Sequence, residues 1–181
     1  MTETREIVAG LFISLDGVVE APETWHFPYL NDELEAAVAD MYAEADTLLL
    51  GRATYESFAA VWPDLEDELA DQLNGMSKLV ASTTLEKAGW NNSTVVDGDL
   101  TTALKQLKQQ PGGKIVISGS ISVVRELLQA GLIDELRLLV HPIVLGSGQR
   151  LFAEGVGQVP LALTRSVTFT TGVLDLSYQP A

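Results

Sequence analysis

The sequence predicts an α/β domain with a largely parallel central sheet, helices on both faces and an antiparallel hairpin at the C-terminal edge. Three observations carry this expectation. Apolar, β-branched runs alternate along the chain with segments of helical period, the order that builds parallel sheets. Two of these runs, "TLLLGRATYESF" and "IVISGSISVV", halt at a glycine and pass at once into a helix-like stretch. The end of the chain, "LALTRSVTFTTGVLDLSYQP", alternates apolar and polar residues around Thr171-Gly172, as a hairpin does. With 181 residues, 46% of them hydrophobic, the chain holds enough apolar material for one core. No repeat or linker interrupts it, so residues 1–181 read as a single domain.

Taken in order, "EIVAGLFISLDG" is a strand closed by the Asp16-Gly17 turn signal. "VVEAPETWHFPYL" has two prolines and three aromatics without a period, and reads as a packed loop. In "NDELEAAVADMYAEA", Leu34, Ala37, Val38, Met41, Tyr42 and Ala45 share one helical face. Asn31 or Asp32 can cap that helix, and acidic residues in its first turn suit the helix dipole. "DTLLLGRATYESFAAVW" is strand, break and helix, and "DLEDELADQL" is an exposed helix face. "SKLVASTT" and "STVVDGD" are short strands, and "LTTALKQLKQQPGG" is a helix stopped by proline and glycine. "KIVISGSISVVRELLQAGLIDELRLLVHPIVLG" repeats strand, break, helix and strand, with Gly131 ending the helix. "SGQRLFAEGVGQ" is a glycine-rich loop before the hairpin.

The formal net charge of −14 repels a polyphosphate backbone, which argues against nucleic acid as a partner. No apolar run approaches the roughly 18 residues of a membrane span. The start, "MTETREIVAG", does not have the pattern of a secretory signal. The chain has no cysteine, which removes disulfide and thiolate chemistry and suits a reducing, cytoplasmic setting. His26 and His141 have no metal-ligand spacing around them and read as packed or surface residues, so no metal is expected.

Chemistry is expected where strands hand over to helices. A helix N-terminus presents unpaired N–H groups and about half a positive charge, a natural seat for phosphate. At the first break Gly51 lets a ligand approach, Arg52 adds a forked donor, and Thr54 offers a hydroxyl. A plain strand-to-helix turn with a solvated arginine accounts for the same residues. At the second break Ser118, Gly119 and Ser120 can form a nest of N–H groups, although this is not the G-x-G-x-x-G fingerprint. Ser82 and Thr83 close a third strand, either as ligand hydroxyls or as routine turn residues. In a parallel sheet these turns share the carboxyl edge, where one extended ligand can span them.

The ordered motifs "FISLDGVVE", "LLLGRATYES", "KLVAST", "IVISGSISVVRELL" and "DELRLLVHPIVLGSGQRLF" resemble the dihydrofolate reductase-like superfamily. The pattern is similar to the reductase domain of riboflavin biosynthesis and covers nearly the whole chain. The resemblance implies a dihydrofolate reductase-like fold, an NADPH site and, since relatives dimerise, a homodimer. It assigns Gly51, Arg52 and Thr54 to phosphate binding. Ser82, Thr83 and Arg52 would read the 2′-phosphate, and Gly119, Ser120 and Ile121 would hold the pyrophosphate and nicotinamide side. Two positions depart from the riboflavin-pathway pattern: Ser118 stands where a carboxylate is usual, and Val18 where a basic residue is usual.

Hydride transfer needs positioning and the exclusion of water, with a proton donor where a carbonyl or imine is reduced. Asp16 is the candidate donor, with a structural Asp-Gly turn as the alternative. Trp25, Phe27 and Tyr29 are candidates for a ring-binding wall or for loop packing. Ser118 lies on the substrate side. Gly146, Gly148 and Arg150 either bind a substrate phosphate or form a tight connection. The expected activity is an NADPH-dependent reductase of the 5-amino-6-(5-phosphoribosylamino)uracil reductase type, acting on a small heterocyclic or sugar-linked substrate. A nucleotide-binding module with the same pocket and no turnover is the alternative.

Overall fold

The computed structural model describes residues 4–152, 154–155 and 157–181. Strands β1 (Ile7–Ser14), β2 (Ala45–Gly51), β3 (Ser77–Ala81), β4 (Ser93–Val95), β5 (Lys114–Ser118), β6 (Glu135–His141), β7 (Leu161–Thr168) and β8 (Leu174–Pro180) form one sheet. The helices are α1 (Asp32–Tyr42), α2 (Arg52–Ala59), α3 (Glu68–Gly75), α4 (Leu100–Lys108) and α5 (Ile121–Gln129). The sheet order is β4-β3-β2-β5-β1-β6-β8-β7. The first six strands pair in parallel, and β8 runs antiparallel to both β6 and β7. The expected architecture is therefore present, with the last strand inserted between β6 and β7. The aromatic loop after β1 contains two short 3-10 turns, Pro22–Thr24 and Phe27–Tyr29.

Strand alternation decides which side chains face which layer. Ile7, Ala9, Leu11 and Ile13 of β1 pack under Val123, Val124 and Leu127 of α5 and Leu104 of α4. Val8 faces the opposite layer with Leu48, Leu50 and Val116, where Tyr42 of α1, Tyr55 of α2 and Leu73 of α3 cover them. Each of these fully buried aliphatic side chains contributes about 1.5–3 kcal/mol relative to exposure. A third cluster, Leu34, Ala37, Leu139, Phe169 and Val173, holds α1 and the hairpin turn against β6.

The buried charged groups Asp175, Arg137 and Lys78 are paired. Asp175 is fully buried and receives Nε and Nη2 of Arg137, each at 2.8 Å, and Nε of Arg165 at 3.0 Å. Lys78 is 1% exposed. Its Nζ donates to the carbonyls of Asn74, Met76 and Asn91 at 2.8–3.0 Å and lies 4.3 Å from the Trp90 ring centroid. The helix starts differ among themselves. Asn31, Asp67 and Asp99 cap α1, α3 and α4 by accepting from Leu34, Ala70 and Thr102 N–H. No side chain caps α2 or α5.

Candidate cofactor and substrate site

Parallel strands end on one side of the sheet, and their registers gather the predicted turns there. Gly51 lies beside Ala81, Leu49 beside Ile117, Gly10 beside Ser118, and Ser14 beside His141. Residues 81–84, 51–54, 118–121, 14–16 and 141–146 thus follow one another along the carboxyl edge, where open α/β sheets bind ligands.

The two glycine breaks are joined directly. Gly51 N–H donates to Ser120 Oγ at 2.9 Å, and Ser120 N–H donates to Thr54 Oγ1 at 3.1 Å. The Ser120 hydroxyl donates in turn to the Ser118 carbonyl at 3.2 Å. Gly119 and Ser120 both have left-handed backbone, with φ of +59° and +55°. Two successive left-handed residues turn the chain sharply from β5 into α5, and the Ser120 N–H is taken by Thr54 in doing so. A Cβ on Gly119 would touch Thr54 Cγ2 at 3.4 Å, an ordinary contact, so it is the left-handed φ that favours glycine there. The uncapped starts of α2 and α5 therefore lie side by side. They are the two helices whose first N–H groups have no side-chain partner among the described residues.

Gly51 offers no free N–H donor at this edge. It is buried, its N–H is taken by Ser120, and a Cβ there would stand 3.4 Å from Val123 Cγ2. The donors left at this edge, among the described residues, are the N–H groups at the two helix starts and the guanidinium of Arg52.

A groove of about 610 Å³ continues from these turns over β3, and Arg52, Ser82, Thr83, Thr84 and Asp99 line it. Arg52 Nη1 donates to Thr84 Oγ1 at 2.6 Å and its Nε to Glu56 Oε1 at 2.8 Å. Thr83 is exposed in the groove, whereas Ser82 Oγ accepts from Thr84 and Leu85 N–H and shapes its own turn. The structure thus brings together the residues expected at the 2′-phosphate, and it adds Thr84 and Asp99.

On the other flank, the expected donor is an anchor. Asp16 Oδ1 accepts from the Ser14 hydroxyl at 2.6 Å and Leu145 N–H at 3.1 Å, and Oδ2 accepts from Gly146 N–H at 2.8 Å. These donors, Ser14 first, hold its carboxyl far below the usual range. A carboxylate so fixed is ionised and has no proton to give near neutrality, so the structure favours the turn reading over the donor reading. The glycine-rich loop is likewise a connection. Gln149 N–H donates to Glu20, Leu151 N–H to the Gly17 carbonyl, and Arg150 Nε to the Asp16 carbonyl. Gly148, at φ +114°, leaves no room for a side chain: a Cβ would sit 2.7 Å from Val18 Cγ1. Gly146, Gly148 and Arg150 thus clasp the first loop, with the Gly146 N–H taken by Asp16 and the Arg150 guanidinium by the Asp16 carbonyl. Part of the glycine-rich stretch, Ala153 and Val156, lies outside the described residues.

The aromatic loop packs over the ends of β1 and β6. Trp25 is buried, donates Nε1 to the Glu20 carbonyl at 3.0 Å, and meets His141 edge-on at 5.2 Å. It packs the loop, whereas Phe27, 59% exposed, remains available to a ligand. Ser118 interacts with the buried Tyr42 phenol, which burial pushes up to about 12. Ser118 itself is half-buried at the end of β5. Sequence reasoning missed that His26 and His141 share this cluster, with ring centroids 6.4 Å apart. Burial lowers the pKa of both, and each has a ring nitrogen without a partner among the described residues. No local signal joins two histidines so far apart in sequence; only the strand order does. Among the described residues no cluster of acidic or histidine side chains is arranged to hold a metal ion, and no helix is long and apolar enough to cross a membrane.

Comparison with known proteins agrees with this geometry. The family model described as the RibD C-terminal domain matches residues 5–174. The Bacillus subtilis (strain 168) protein YyaP, described as uncharacterized, is 28% identical over 179 residues, covering 96% of this chain and 94% of its own. A candidate riboflavin biosynthesis protein from Shewanella sp. PV-4 superposes with a TM-score of 0.80 at 20% identity, covering 97% of this chain and 99% of that one. Dihydrofolate reductase from Enterococcus faecalis, solved with NADP(H), gives 0.64 at 19% identity, covering 97% and 96%. The two structures share the fold. The family model spans both glycine breaks, the groove and the first hairpin strand, and the chain belongs to the RibD C-terminal domain family.

Proposed function

We propose that this protein is an NADPH-dependent reductase of the 5-amino-6-(5-phosphoribosylamino)uracil reductase type. It would transfer a hydride to a small heterocyclic or sugar-linked substrate. The observation that carries the reading is the joining, through Ser120, of two uncapped helix starts beside a groove lined by Arg52. These residues fit a dinucleotide phosphate: oriented N–H donors on one side and a guanidinium on the other. The Enterococcus faecalis relative of the same fold was solved with NADP(H). NADPH would supply the hydride. The chain's own part is to hold the phosphates at the two turns and the 2′-phosphate at Arg52, and to shield the edge with the Trp25 loop.

A second reading, a nucleotide-binding module without turnover, draws support from Asp16, whose carboxylate is fully engaged in loop contacts. Loss of reduced-nicotinamide absorbance against a panel of heterocyclic and sugar-linked substrates separates the two readings. Both share the cofactor, and Arg52→Ala tests it. Losing a charge-assisted contact costs about 1.5–3 kcal/mol, so NADPH affinity should fall about 10- to 100-fold and NADH affinity far less. Equal losses for both nucleotides would remove the 2′-phosphate assignment. We also infer a homodimer that covers the open edge at β7, where Leu163 is 55% exposed. Light scattering that reports a monomer would refute it.

A further inference from the structure

The groove offers a single cation for its proposed phosphate. Among the described residues lining it, only Arg52 is basic, while Asp99 and Glu126 are acidic. Asp99 is locked as the α4 cap by Thr102 N–H and the hydroxyls of Thr101 and Thr102. Arg52 is the first residue of α2, at the positive end of the helix dipole, and no acidic residue occupies that first turn. A cation is disfavoured there, and an anion is favoured. One turn later, Glu56 reaches back to Arg52 Nε at 2.8 Å, with both side chains about half exposed. Thr84 holds Nη1, and the Nη2 end of the fork has no partner among the described residues. The order of charges, Arg before Glu along the helix, is the less stabilising one. The pair therefore adds little to the helix and acts chiefly on the guanidinium.

Resting on the reductase reading above, we infer that Glu56 sets cofactor preference by competing with the 2′-phosphate for Arg52. A phosphate at Arg52 must either displace the Glu56 carboxylate or bind beside it against like charge. Both routes weaken NADPH, and neither touches NADH, which lacks that phosphate. Glu56 thus holds the chain's discrimination between the two nucleotides below what Arg52 alone would give.

The test is fluorescence titration of NADPH and NADH into the full-length protein and its Glu56→Gln, Arg52→Ala and doubly substituted variants, at low and physiological salt. An exposed ion pair is worth a few tenths to one kcal/mol, which corresponds to a two- to fivefold change. Glu56→Gln should tighten NADPH about two- to fivefold, leave NADH unchanged, and lose its effect when Arg52 is alanine. The gain should shrink as salt screens the charges. An unchanged or weaker NADPH affinity overturns the inference, as does equal tightening of both nucleotides or a gain that persists without Arg52. If Arg52→Ala still weakens NADPH selectively, the reductase reading stands and only the role of Glu56 falls. If the unaltered protein binds neither nucleotide, the reductase reading falls and takes this inference with it.

Discussion

Ser120→Ala probes the joint between the two turns. The substitution removes the acceptor of the Gly51 N–H, a buried 2.9 Å hydrogen bond, and the donor to the Ser118 carbonyl. A buried N–H left without a partner costs about 1–3 kcal/mol. Alanine keeps the Cβ that makes φ +55° unfavourable, so the strain at this position is unchanged. Ser120→Gly loses the same hydrogen bonds but relieves that strain, which is worth about 1 kcal/mol. Urea unfolding should therefore place alanine about 1–3 kcal/mol below the parent protein. Glycine should lie between them, and m should be unchanged for both. NADPH affinity should fall in both variants, because the helix starts lose their fixed spacing. An alanine variant within about 0.5 kcal/mol of the parent would show that the hydroxyl does not join the turns.

Lys78 and Arg137 give further expectations. Burial lowers the Lys78 pKa from 10.5 to about 8, so the unfolded chain holds its proton more tightly. Stability should rise between about pH 8 and pH 10.5, by about 3 kcal/mol for this group, and be lost as pH falls through 8. A Lys78→Met variant should lack that component in urea midpoints measured across the window, and an identical slope would contradict it. Arg137→Met leaves the fully buried Asp175 with only the half-exposed Arg165. It should cost about 3–5 kcal/mol, much of it recovered when Asp175→Leu is added. A small loss for the single variant would show that Arg165 alone compensates the carboxylate.

The parts legible in the sequence were those set by local pattern. The "TLLLG" and "IVISG" runs, the Asn31 cap and the Thr171-Gly172 turn each declare an element within a few residues, and the strand order then places their ends together. What stayed hidden depends on distant partners. Whether Asp16 is free depends on Leu145 and Gly146, and the role of Gly51 depends on Ser120. Lys78 sits in a strand whose sequence gives no hint of burial, because its carbonyl cradle comes from the end of α3 and the loop before β4. Arg52 is legible as a candidate phosphate ligand, whereas its pairing with Glu56 and Thr84 is set by the folded chain.

The central claim is that both turns grip one nucleotide, and hydrogen–deuterium exchange with and without NADPH tests it most directly. NADPH should slow exchange at residues 52–54 and 121–123 together, with 82–84 following. Protection of only one of the two helix starts, or of neither, would contradict the account.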